Sequence, residues 1–224
     1  MKEKEIEDEL VSIRSMMERS SKFISLSGLS GILAGIYALI GAGLAYYILY
    51  NDLPDELNPY KNMSGEFKSD SPGIVRGLFF GYDSSITVIL LIIALLVLIA
   101  SIGTGIFLSF RKAKSNGQPL WSSTSRTFLF HMAIPLITGG IFLLILIFRG
   151  HYGIAAPVSL IFYGLSLISA SSYTFSTVKY LGLCETILGL IAACLPGFGL
   201  LFWAIGFGVL HIVYGSVMYF KYDK

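Results

Sequence analysis

Charge is what this sequence has least of. Only 13% of its 224 residues are Asp, Glu, Lys or Arg, about half the ~25% usual in a soluble globular domain. That shortage excludes an ordinary water-soluble fold. With 54% hydrophobic residues and a mean hydropathy of +0.73, the chain must keep most of its length out of water. Cysteine and histidine are equally sparse, at two and three residues. Neither HExxH nor a CxxC pair occurs and the histidines show no ligand spacing, so no metal and no other cofactor is implied. Cys184 and Cys194 lie ten apart in one apolar run, about 15 Å along a helix and beyond disulfide reach within the chain. They read as small core residues. Membrane enzymes usually carry several intramembrane acids or histidines. This chain has too few, so no catalytic residue is nominated and a non-enzymatic role is expected.

Long apolar runs are what the chain does have. They recur at ~20 residues, enough for a helix to cross a ~30 Å hydrocarbon core, and they are continuous rather than alternating, which favours helices over a β-barrel. The expected fold is all-α, a polytopic membrane bundle of six transmembrane helices at 24–50, 84–110, 127–148, 154–178, 180–195 and 199–220. Residues 1–23 precede it with both signs of charge and with Ile6, Leu10, Ile13 and Met17 at helical spacing, an amphipathic cytoplasmic helix. Its apolar stripe either packs on the bundle ends and the interface or docks a protein partner through residues 1–22. No cleavable signal peptide is expected, because the first apolar run lasts too long and no small-residue cleavage site follows it.

The positive charges set an orientation. Twelve Lys and Arg fall with the N-terminus, the helix 2–3 loop, the helix 4–5 turn and the C-terminus, against Lys61, Lys68, Arg76 and Arg149 on the other side. The positive-inside rule then places both termini in the cytoplasm, in a multi-pass protein of the cytoplasmic (inner) membrane. The net charge of +2 is accounted for by this topology and implies no nucleic acid. Residues 51–83 become an extracytoplasmic loop whose Pro, Gly, Asn and Ser argue for irregular structure. It is either a lid or a solvated connector.

Helix 1 carries Ser27, Gly31 and Gly35 at four-residue spacing beside Ala34, Ala38 and Ala42, a face on which another helix approaches closely, within the chain or in an oligomer. Helix 2 is aliphatic on every side and expected to face lipid. Helix 4 has a stripe of small or hydroxylated side chains, Ser159, Tyr163, Ser166, Ala170, Tyr173 and Thr177, suited to helix packing or to a hydrated cavity. Helix 5 ends at Pro196-Gly-Phe-Gly199, a break of the kind that marks binding sites in transporters. Helix 6 contains Gly206, Gly208, His211, Tyr214 and Gly215.

The run IRSMMERSSKFISLSGLSG, Ile13–Gly31, resembles the opening of a family of uncharacterised bacterial six-helix integral membrane proteins, a likeness that covers the N-terminal fifth of the chain and implies no function. Ala34, Ala38 and Ala42 are also similar to the alanine motif on the first helix of the substrate-binding subunits of energy-coupling factor transporters. That resemblance implies a six-helix transporter subunit.

Glu185 is the one carboxylate inside an apolar run, costly in hydrocarbon and expected to face a partner. Counted from the flanking cationic residues, Glu185, His131, Tyr173, Thr104 and Tyr214 all fall about 7–11 Å into the cytoplasmic side. These five are the candidate ligand-binding residues. Pro135 cannot donate to the carbonyl of His131, so Glu185 is expected to meet either His131 or that freed carbonyl. His211 counts about 15 Å in, too deep to join His131 in haem ligation. The residues are thus consistent with a non-enzymatic membrane protein that binds a small ligand or a partner, in a regulatory or scaffolding role, or with a small transporter using the layer around Glu185.

Overall fold

The computed structural model describes residues 27–52, 84–115 and 121–223. The expected amphipathic helix at 1–23 and nearly all of the 51–83 loop lie outside them. The described residues are helical and contain no strand. Six helices are long and apolar enough to cross a membrane. We label them α1 (Gly28–Asp52), α2 (Ser84–Ser115), α3 (Ser123–Phe148), α4 (Tyr152–Tyr173), α5 (Thr177–Cys194) and α6 (Gly199–Lys221).

Local chemistry sets the ends. Ser122 and Ser125 form a reciprocal cap at the start of α3, with Ser125 N donating to Ser122 Oγ at 3.1 Å and Ser122 N to Ser125 Oγ at 2.7 Å; orphan donors of the first turn are satisfied this way. The same helix stops at Gly150, whose φ of +80° suits a residue without Cβ. Around it Gly150 N donates to Ile147 O and His151 N to Leu146 O, the paired bonds of a Schellman stop. Pro157 falls in the first α-helical turn of α4, where a missing N–H costs nothing. At its other end α4 tightens into a 3₁₀ turn at Ser171–Tyr173 and breaks at the extended Thr174, φ −143° and ψ −157°.

That break corrects the expected 154–178 helix: Thr177 and Val178 belong to α5. The cause is the hydroxyl-rich run Ser169–Thr177. Ser171 Oγ donates to Ile168 O at 2.7 Å, a side chain competing for a helical carbonyl.

α1 lies between α2 and α6, α6 also meets α4 and α5, α4 and α5 share the most extensive interface, and α3 packs on α4. Small residues make the closest of these approaches. A methyl placed on Gly35 would come within 2.6 Å of Gly208 O and of Ile212 on α6, and one on Gly215 within 2.5 Å of Ile32 N. The Gly31–Gly35 face, which the sequence left open to a helix of the same chain or of an oligomer, is packed by α6 of the same chain. Gly164 and Gly182 bring α4 and α5 together in the same way, each within 2.7 Å of the other's carbonyl if a methyl were added. In the most apolar window of α2 no residue is buried, and Val88, Ile92, Leu95, Leu96, Ile99 and Ile106 are all exposed.

Candidate functional site

Glu185 has no exposed surface. It sits on the buried stripe of α5 with Leu181, Gly182 and Gly189, one turn from the close α4–α5 crossing, and so points into the bundle rather than outward. Its partner is on α6. Glu185 Oε1 lies 3.3 Å from His211 Nδ1, and the far side of the imidazole is held by α4, where Tyr163 Oη lies 2.8 Å from His211 Nε2. Three groups from three helices thus form one row: carboxyl, imidazole, phenol.

The expected Glu185–His131 pair is not formed. His131 stacks on Tyr173, ring centroids 4.7 Å apart, with His131 Nε2 3.1 Å from Tyr173 Oη. Helix α3 runs through Pro135 to Phe148, and its contacts are with α4 and the adjoining turns. The depth argument misplaced the site because it took Lys179 as the membrane edge. Glu185 is eight residues from Thr177 and nine from Cys194, Tyr163 eleven from Tyr152 and ten from Tyr173, and His211 twelve from Gly199 and ten from Lys221. The row crosses the middle of all three helices.

The remaining candidates are separate from it or beside it. Thr104 donates to Ala100 O at 2.8 Å and to Ser101 O at 3.1 Å within α2, a helix that packs chiefly on α1. Tyr214 packs with Tyr163 against the buried cluster Leu167, Val178 and Leu181. Of the five residues nominated from sequence, His131 and Tyr173 meet each other, and neither of them meets Glu185.

The backbone of α6 shapes the site. Ala204–Leu210 is a π-helical stretch, a wider turn than the α-helix and one that recurs at functional positions. It ends at His211, whose ring Nδ1 lies 3.1 Å from Gly206 O. A carbonyl only accepts, so the contact with Gly206 places a proton on Nδ1. That single N–H is directed at Gly206 O, so Glu185 Oε1, although 3.3 Å from Nδ1, receives no hydrogen bond. Neither carboxyl oxygen has a hydrogen-bond partner among the described residues. Gly206 also supplies the room: a methyl there would lie 2.5 Å from Glu185 Oε2 and 2.5 Å from Leu160 Cδ2.

Aromatic rings wall the row on the α6 side. Phe207 lies 5.0 Å from the Tyr163 ring, 5.9 Å from His211 and 5.1 Å from Trp203. His211, Tyr163 and Gly206 are the residues that sequence reasoning did not join to Glu185; each was visible on its helix, but no spacing between different helices could pair them. Among the described residues no group of three His, Cys, Asp or Glu is placed to hold a metal ion. Neither a protein-family model, nor a curated protein, nor a solved structure matches this chain.

Proposed function

We propose that this is a non-enzymatic multi-pass membrane protein, with both termini in the cytoplasm, that binds a small ligand at the Glu185–His211–Tyr163 row in the middle of its bundle. One observation carries the reading: a fully buried carboxyl whose two oxygens find no hydrogen bond within the described protein. Such a group costs on the order of 1–3 kcal/mol or more. A purely structural polar network would be expected to close on itself, as His131 and Tyr173 do.

Six apolar helices support the membrane setting. The orientation is supported by charge: Arg111, Lys112, Lys114, Arg126, Lys179 and Lys221 lie toward one end of the described helices and Arg149 toward the other. The inner membrane is the location this sidedness suits.

The testing experiment measures thermal stability of purified protein in detergent against added ions and small solutes, for wild type and Glu185→Gln. A ligand that binds only the folded state raises the midpoint in proportion to ln(1 + [L]/Kd). Stabilisation of wild type and not of the variant supports the reading. Identical responses of both proteins to every addition would remove it.

A second reading, a small transporter, is favoured by the position of the row at mid-helix, next to a π-helical stretch in α6, the helix that follows the Pro196–Gly199 break. Discontinuous helices at the midplane are where transporters place substrate and coupling ions. Solute accumulation in proteoliposomes, abolished by Glu185→Gln, distinguishes it from a binding protein that works through a partner at residues 1–22.

A further inference from the structure

We infer that the start of α3 is a binding surface for an anionic phospholipid, with Arg126 on the phosphate and an acyl chain on the apolar stripe that follows it. The inference needs only the membrane setting and does not depend on the Glu185 row. It begins from charge left without a counter-charge. Arg111, Lys112, Lys114, Arg126, Lys179 and Lys221 gather at one end of the described helices, and Asp223 is the one acid among the described residues at that end. Of the other two described acids, Asp52 closes the opposite end of α1 and Glu185 lies at mid-helix. Basic residues at the ends of spanning helices attract anionic headgroups.

Within that end, Arg126 is singled out by what surrounds it. It is exposed, one turn into α3 behind the Ser122–Ser125 cap, and its Cζ stands over the Trp121 ring, 5.8 Å from the centroid. Trp121 is itself exposed. Attraction to the ring restrains the guanidinium, and a restrained planar fork of donors takes a phosphate at a lower ordering cost than a free lysine chain. Lys112, by contrast, is half-buried, with Nζ 5.8 Å from the Phe175 ring in the α4–α5 turn.

The residues after Arg126 favour a lipid over a free phosphate. At 3.6 residues per turn, Phe130, Ile134 and Ile137 all lie within about 80° of Arg126 around α3, and they are 64%, 51% and 60% exposed. The residues that hold α3 to the bundle are on the far side of the helix: His131, stacked on Tyr173, and Gly139, packed on Phe162, stand about 140° away in either direction. From Arg126 the stripe runs about 16 Å to Ile137, the depth of one leaflet of a ~30 Å hydrocarbon core. An anion that carries a hydrocarbon chain covers both the cation and the stripe. Inorganic phosphate would use Arg126 alone.

The test reads Trp121 fluorescence in full-length protein in liposomes, with Trp203→Phe removing the second of the two tryptophans. Phosphatidylglycerol or phosphatidylcholine, brominated near the ester end of its chains, is added at increasing mole fraction to unbrominated phosphatidylcholine. Brominated phosphatidylglycerol should quench Trp121 with about five-fold higher relative affinity, the factor expected of one basic residue at a membrane surface, and the preference should fall as salt rises. Arg126→Gln, with unchanged helical circular dichroism, should bring the two lipids close to parity, while Lys114→Gln, on exposed Lys114 of α2, should keep most of the preference. Equal quenching by the two lipids before Arg126 is changed overturns anionic lipid binding. A preference that persists in Arg126→Gln, or falls equally in Lys114→Gln, overturns the site and leaves only the general field of the basic end. Inorganic phosphate added to phosphatidylcholine vesicles should leave Trp121 emission unchanged. A saturable change that is lost in Arg126→Gln would assign the surface to a free anion and overturn the lipid.

Discussion

Glu185 on α5 and His211 on α6 face each other across 3.3 Å with side chains 0% and 9% exposed, at the middle of both helices. Two polar groups at the centre of an apolar bundle either hold it together or are held by it, and substitution by a side chain of similar volume tells which. Glu185→Met removes the carboxyl and keeps most of the volume, and because neither carboxyl oxygen makes a hydrogen bond the change leaves no donor or acceptor newly unsatisfied. Its thermal midpoint in detergent should therefore equal or exceed that of wild type. Glu185→Ala leaves a cavity and should cost about 2–4 kcal/mol relative to Met. A methionine variant that melts well below wild type would identify the carboxyl as a structural clamp.

The glycines divide by what surrounds them. Gly35 of α1 has Gly208 O and Ile212 where a side chain would go, while Gly43 and Gly103 have nothing within 4 Å. Gly35→Leu must push α1 from α6 and should lose about 1–3 kcal/mol or more, the usual cost of overpacking. Gly43→Ala and Gly103→Ala should leave stability unchanged or raise it by up to about 1 kcal/mol through helix propensity. Denaturation in detergent checks all three. Equal midpoints for Gly35→Leu and Gly43→Ala would mean that α1 does not pack on α6.

How far these relationships were legible in the sequence differs from helix to helix. The six apolar runs stand out because each is long and continuous, and the small residues of α1 announce a close contact. Their spacing says nothing of which helix fills the face, and the answer, α6, depends on Gly208 and Gly215, at the far end of the sequence. Glu185 is legible by its isolation. Its partner is not, since depth was counted from flanking charges, and α5 begins two residues before Lys179 and is only 18 residues long. The π-helical stretch that sets His211 beside Gly206 has no signature in sequence beyond Gly206 and Gly208. The end of α4 is hidden by hydroxyl residues that suit a helix interior facing other helices as well as they suit a break.

Topology follows from charge and is checked with single cysteines. Cys184 and Cys194 are exposed on α5 and are first replaced by alanine. Arg149→Cys, between α3 and α4, and Ser176→Cys, between α4 and α5, should then react with a membrane-impermeant maleimide from opposite sides, Arg149→Cys from outside intact cells. Labelling of Ser176→Cys from outside would reverse the orientation and place the basic helix ends on the wrong face for the positive-inside rule.

The two tyrosine–histidine contacts, finally, should be energetically independent. Tyr173 with His131 lies at the end of α4 and Tyr163 with His211 at its middle, ten residues or about 15 Å apart along the helix. Sites separated by more than ~7–10 Å with no shared partner add within ~0.3–0.5 kcal/mol. Each Tyr→Phe change removes one hydroxyl and keeps the ring, so each should cost about 0.5–1.5 kcal/mol, and Tyr163→Phe/Tyr173→Phe should cost the sum. A coupling above ~1 kcal/mol in the double-mutant cycle would join the two contacts into a single network, and His131 would then belong to the same site as Glu185.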